Sequence, residues 1–192
     1  MSDAPSAPDA TPAATRSSSA ASTRERIVDA LEAVLLAHGP AGATLEAVAE
    51  RAGVSKGGLL YHFRGKDELF DGLFDRLTAQ AAAAVGSPGD ADAVVRRFLE
   101  GSQEADGAET RSLLAALQLV GSYGPAAGRL ALYLDDWAAE LRREIEDPAL
   151  ARLVQLVGDG MFLHALLGAG KPGVDADVVA LVLDVVRERR AR

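Results

Sequence analysis

The chain of 192 residues contains no cysteine, which excludes both a disulfide framework and a thiolate metal site. Its three histidines, His38, His62 and His164, lie far apart with no carboxylate at metal-ligand spacing, so no metal centre is signalled and no cofactor is expected. No uninterrupted apolar run comes near the roughly 18 residues that a membrane span needs. No apolar segment follows a basic one at the N-terminus either, so the expectation is a cytoplasmic protein without a membrane anchor. Alternating strand patterns are missing throughout, which leaves an all-α fold. The stretch Gly168-Ala169-Gly170-Lys171-Pro172 lacks the first glycine and the final Ser or Thr of a phosphate loop, and its proline removes a donor that a phosphate would need. Neighbouring carboxylates such as Asp135-Asp136 point apart on a helix and read as a solvated face rather than an acid/base pair. No catalytic residue is expected.

What the chain does have is apolar bulk, 48% of its residues, enough for one or two cores. The bulk is unevenly placed. Residues 1–21, rich in Ala, Pro, Ser and Thr, cannot offset the entropy of ordering and are expected to form a disordered tail. Ser22-Thr23-Arg24-Glu25 has capping-box spacing, and Ile27, Leu31, Val34 and Leu35 then share one helical face until Gly39-Pro40. The net charge of −8 argues against phosphate binding by the whole surface. Between Arg51 and Lys66, however, Arg51, Lys56, Arg64 and Lys66 occur without an intervening carboxylate, a small basic footprint on an acidic body.

That footprint lies within the most informative stretch, Thr44 to Phe70. Thr44 is placed to cap a short helix whose Leu45, Val48 and Ala49 recur at i, i+3 and i+4. Ala52-Gly53-Val54 breaks it, with Gly53 free to take a positive φ, and Ser55 is placed to cap a second short helix. At about 100° per residue, Leu59, Leu60 and Phe63 fall on one side of that helix. Gly57, Gly58 and Tyr61 fall opposite, with His62 on the flank. Two adjacent glycines on an exposed face cost roughly 1 kcal/mol each relative to alanine, and close approach of the backbone to a DNA groove would account for them.

Val54-Ser55-Lys56-Gly57-Gly58-Leu59-Leu60-Tyr61-His62-Phe63, followed by Lys66 and Leu69-Phe70, resembles the DNA-binding domain of TetR-family transcriptional regulators, with their G-V-S-x-G-x-L-Y-x-[YH]-F-x-x-K pattern. The resemblance covers about a quarter of the chain. It implies a helix-turn-helix over 22–70 that binds double-stranded operator DNA through Thr44, Arg51, Ser55, Lys56, Gly57, Gly58, Tyr61, His62 and Lys66. The sequence departs from the pattern at one place: the family's usual tyrosine is Leu60 here, and Tyr61 follows one position later. The backbone contact commonly made by that tyrosine does not pass to Leu60, and Tyr61 is left to take a phosphate or to read a base edge. The family also implies that the helix starting near Asp67 carries signals between the two domains.

Residues 71–192 read as a second helical domain, with helices near 90–104, 109–122, 125–146, 149–168 and 175–190. The last is apolar nearly all round, so it must be covered on two sides. Leu153 and Val157 on the preceding helix, with Val178, Val182 and Val185 on the last, suggest a four-helix interface between the two copies of a homodimer. Gly158 and Gly160 would let another helix approach closely. Phe98, Gln118, Tyr123, Tyr133, Trp137, Met161, Phe162 and His164 are the aromatic, polar-tipped and adaptable side chains available to line an apolar cavity for a small-molecule effector. The reading is therefore a repressor that leaves its operator when a small, largely apolar ligand enters this domain. From other classes come a helical small-molecule enzyme or carrier with a vestigial helix-turn-helix, revealed by turnover without DNA binding, and a DNA-binding module that answers to a protein partner.

Overall fold

The computed structural model describes residues 13–85 and 90–191. The chain forms two compact units, Met1–Leu69 and Phe70–Arg192, and the described residues are helical with no strand. In the first unit α1 (Ala13–Gly42), α2 (Leu45–Ala52) and α3 (Lys56–His62) follow one another, and α4 (Lys66–Val85) begins there and continues into the second.

The sequence-based expectation for the start of α1 requires correction. Residues 13–21 are helical rather than unordered, and the Ser22 capping box lies inside the helix. No glycine or proline stands between Pro12 and Gly39, and a helix already nucleated in its apolar portion extends at the gain of one hydrogen bond per residue. Residues 1–12, the rest of the expected tail, lie outside the described residues. At the other end Gly39 takes a non-helical φ of 65° and ψ of −174°, which kinks the chain ahead of Pro40. Ile27, Leu31, Val34 and Leu35 are buried as their spacing requires, with Val48 and Ala49 of α2 and Leu59 and Phe63 at α3.

In the second unit α5 (Ala91–Gly101), α6 (Ala108–Gln118), α7 (Ala126–Glu144), α8 (Pro148–Leu166) and α9 (Pro172–Arg190) pack together. Asp90 accepts from the Ala93 N–H to start α5, and Asp147 accepts from Ala149 and Leu150 to start α8, caps that contribute about 1 kcal/mol each. One core joins Val94, Val95, Phe98 and Leu99 of α5 to Leu150 and Val154 of α8 and to Val179, Val182, Leu183 and Val186 of α9. By length and composition α8 is apolar enough to cross a membrane, although no unbroken apolar run marks it in the sequence: Arg152 and Asp159 interrupt it.

Two of the expected interface features are spent inside the protomer. Val182 is only 8% exposed and belongs to the core just described. A Cβ on Gly158 would stand 2.4 Å from Cε1 of Phe98 and 3.0 Å from Oγ of Ser102, so this glycine admits α5 of its own chain, whereas Gly160 has nothing within 4 Å. Gly158→Ala therefore sets two effects against each other. Helix propensity favours alanine by about 1 kcal/mol, and overpacking a closed core costs roughly 1–3 kcal/mol. The expected outcome is a net loss of stability in thermal unfolding. Gly128→Ala on α7, where a Cβ meets nothing within 4 Å, should gain stability.

Candidate functional site

The first unit holds the helix-turn-helix elements in the positions their local chemistry dictates. Thr44 Oγ1 accepts from the Ala47 N–H at 3.1 Å and starts α2. Gly53, at φ 67°, closes that helix with its N–H on the carbonyls of Ala49 and Glu50. Ser55 Oγ accepts from the Gly58 N–H at 3.0 Å and starts α3. Both capping hydroxyls use an acceptor lone pair inward and keep their O–H to donate outward, as a phosphate oxygen would require.

Leu59 and Phe63 are fully buried while Tyr61 is 83% exposed, so α3 is anchored by one face and presents Lys56, Gly57 and Tyr61 on the other. Arg24 of α1 stacks over the Phe63 ring at 4.8 Å, and His62 meets Tyr61 edge-on, ring centroids 5.2 Å apart. A Cβ on Gly57 would find only Ser55 Oγ, at 4.0 Å. Nothing within the unit, then, requires glycine there. One on Gly58 would press the capping Ser55 Oγ at 3.3 Å. Gly57→Ala should raise the stability of the protein by up to about 1 kcal/mol and yet weaken its binding to DNA, which thermal unfolding and a mobility-shift titration would read as changes of opposite sign.

Two cations of the expected basic footprint are less free than their spacing suggests. Lys56 Nζ is paired with Glu46 Oε1 at 2.6 Å, and this hydrogen bond is the main reason the Glu46 carboxyl lies below its ordinary range. Lys66 is half-buried, its ammonium donating to the Pro40 carbonyl at 3.2 Å. Sequence spacing missed the carboxylate because Glu46 comes from α2, ten residues before Lys56. Arg51 and Arg64 have exposed side chains, although the Arg64 backbone N–H donates to Glu68 Oε2 at 2.6 Å.

The second unit contains a cavity of about 300 Å³ among α5, α6, α7 and α8, at the lower end of the range usual for small-molecule sites. Phe98, Tyr133, Trp137 and Phe162 line it, as expected from the sequence. Phe98 and Trp137 form its aromatic wall, ring centroids 5.2 Å apart. Four other expected residues do not line it. Gln118 and His164 are exposed. Met161 is drawn into the core. Tyr123 packs on Phe70 and Phe74 and donates its hydroxyl to Asp71 Oδ1 at 2.9 Å. Helical periodicity places a residue on a face but does not say which neighbour that face meets, and the last turns of α6 and α8 lead away from the cavity.

Several lining residues went unmarked in the sequence, among them Arg97, Glu109, Thr110, Gln155 and Asp159. Tyr133 donates to Glu109 Oε1 at 2.7 Å, and burial, reinforced by that carboxylate, pushes its phenol well above the ordinary value. Burial also raises the Asp159 carboxyl, against the opposing charge of Arg152. Gln155 Oε1 accepts from Arg152 at 2.8 Å.

Comparison with known proteins places both halves of the chain in one family. Residues 27–73 match the family model for bacterial regulatory proteins of the tetR family, and residues 91–187 match the tetracyclin repressor-like C-terminal domain. The HTH-type transcriptional regulator SrpR of Pseudomonas putida is 43% identical over 51 residues, which are 27% of this chain and only 24% of that protein. The HTH-type transcriptional repressor AcnR of Corynebacterium glutamicum is 25% identical over 178 residues, 87% of this chain and 94% of that one. Among solved structures, a tetR-type transcriptional regulator from Streptomyces avermitilis is 29% identical with a TM-score of 0.66, over 86% of this chain and 98% of that one. NalD, the secondary repressor of the MexAB-OprM multidrug efflux pump in Pseudomonas aeruginosa, has a TM-score of 0.67 at 19% identity over 88% and 97% of the two chains, a likeness of fold alone. With a helix-turn-helix at one end and a matching C-terminal domain that spans half its length, the chain belongs to the TetR family.

Proposed function

We propose that the protein is a homodimeric, sequence-specific DNA-binding transcriptional regulator, and that a small, largely apolar ligand in the cavity of the second unit lowers its affinity for operator DNA. The observation that carries this reading is the α3 face, on which Gly57 and Tyr61 stand clear of the unit and Lys56 lies exposed in its pair with Glu46, while Leu59 and Phe63 anchor the helix beneath them. A short helix held in this way can enter the major groove with its backbone close to the bases. AcnR and NalD are both named as repressors, which supports repression as the sign.

Dimerisation is supported by the apolar surface left on the last two helices. Leu153 and Leu156 of α8 are 50% and 52% exposed and Leu181 of α9 is 64% exposed, and Val157, Val178 and Val185 remain half-buried beside the core. The proposed interface keeps Leu153, Val157, Val178 and Val185 and replaces Val182 by Leu181.

Selection of bound fragments from random DNA by the purified protein tests the proposal. The expected product is a two-fold symmetric site whose half-sites lie near one helical turn apart, roughly 34 Å, or a multiple of it. Fragments without symmetry, or no enrichment, would count against it. Because coupling is reciprocal, a ligand that weakens operator binding 100-fold must bind 100-fold more weakly to the operator complex, equivalent to about 2.7 kcal/mol.

A further inference from the structure

The polar lining of the cavity is nearly all accounted for by the protein itself. Ser102 Oγ donates to the Phe98 carbonyl at 2.8 Å, and Thr110 Oγ1 donates to the Glu104 carbonyl at 3.3 Å. Tyr133 is held by Glu109, and Gln155 accepts from Arg152. Arg97 is different. Its Nε and Nη2 are buried and have no hydrogen-bond partner among the described residues, although Arg97 lines the cavity. These atoms are adjacent donors along one edge of the guanidinium, the edge that meets a carboxylate with two parallel hydrogen bonds. Buried donors of a permanently charged group are costly when nothing accepts from them.

We infer that the cavity takes a small carboxylic acid with an aromatic or apolar body, its body against Phe98 and Trp137 and its carboxylate on Nε and Nη2 of Arg97, which a small rotation of that side chain turns into the cavity. The inference rests on the reading of the cavity as the effector site. The carboxylates on the same lining do not take the place of the ligand's acid. Glu109 is engaged by Tyr133, and Glu104 and Asp159 lie on an exposed rim. The volume, about 300 Å³, has room for a body of one ring or a short chain.

Trp137 is the only tryptophan in the chain and lies on the cavity wall, so its fluorescence reports occupancy directly on the full-length protein without DNA. The test titrates benzoate, phenylacetate, 3-phenylpropionate and octanoate, each against its own primary amide. At least one acid is expected to bind more tightly than its amide, and Arg97→Gln should lower its affinity about 10- to 100-fold, the effect of losing a charge-assisted pair. Arg97→Lys, which keeps the charge and loses the fork, should recover only part of it, with circular dichroism showing both variants folded. If no acid is preferred over its amide, or if Arg97→Gln binds the preferred acid undiminished, the inference is overturned. The regulatory reading fails by a different sign, the absence of a selected operator.

Discussion

Replacing Leu181 by aspartate is expected to give a folded monomer that no longer holds a two-fold operator. In the isolated protomer this side chain is 64% exposed, so a carboxylate there remains in water and should leave the helix content and the cavity intact. In the proposed dimer the same carboxylate would be buried without a partner, at a cost of several kcal/mol. Two recognition helices held at a fixed spacing act as one ligand for DNA, and separating them removes that gain, worth 10²- to 10⁴-fold without any change in the contacts of either half. Light scattering and a mobility-shift titration would read both effects on one sample. A Leu181→Asp variant that stays dimeric would move the interface away from the exposed stripe of α9.

Phe63→Ala is expected to abolish DNA binding by a different route. Phe63 is fully buried at the end of α3, lies under the Arg24 guanidinium, and closes the helix with its N–H on the Leu59 carbonyl. Truncating such a residue costs about 3–5 kcal/mol, a large part of the stability of a unit this small. The loss should be local. Thermal unfolding of the variant should show an early transition absent from the parent, while acid binding followed through Trp137 is retained. A single unshifted transition would mean that Phe63 contributes little to holding α3.

The first unit was legible in the sequence because its determinants are local. Thr44, Gly53 and Ser55 act on backbone groups within five residues of themselves, and the predicted bounds of α2 and α3 follow from those contacts. Leu59 and Phe63 could be assigned to the buried face because helical spacing alone separates them from Tyr61. The second unit gave up its helices to the same reasoning, but only part of its candidate sites. Val182 and Leu181 are sequence neighbours in a helix that is apolar on nearly every side, and only packing against α5 and α8 decides that Val182 faces inward. Gly158 and Gly160 pose the same problem two residues apart: Phe98 fills the space over one, and nothing fills the space over the other. Arg97 carries no mark that separates it from Arg96. Their roles differ because Arg96 reaches Glu100 at the surface, whereas the Nε and Nη2 of Arg97 are enclosed. Glu46 was missed for the complementary reason, since a carboxylate ten residues distant becomes a neighbour only when α2 and α3 pack.

The pairing of Lys56 with Glu46 also makes the DNA account quantitative. An exposed pair of this kind contributes little on its own, so a phosphate can displace the carboxylate at small cost. With Lys66 tied to the Pro40 carbonyl, the side chains of Arg51, Lys56 and Arg64 are the phosphate contacts proposed for each protomer. The decisive measurement is therefore the salt dependence of affinity for the selected operator, in the parent and in the Arg51→Ala/Lys56→Ala double variant. For about six phosphates per dimer the plot of log K against log salt should fall with a slope near −5, and removal of four contacts should flatten it to about −2. Affinity indifferent to salt, or a slope unchanged in the double variant, would contradict the assignment of the α2–α3 face to DNA.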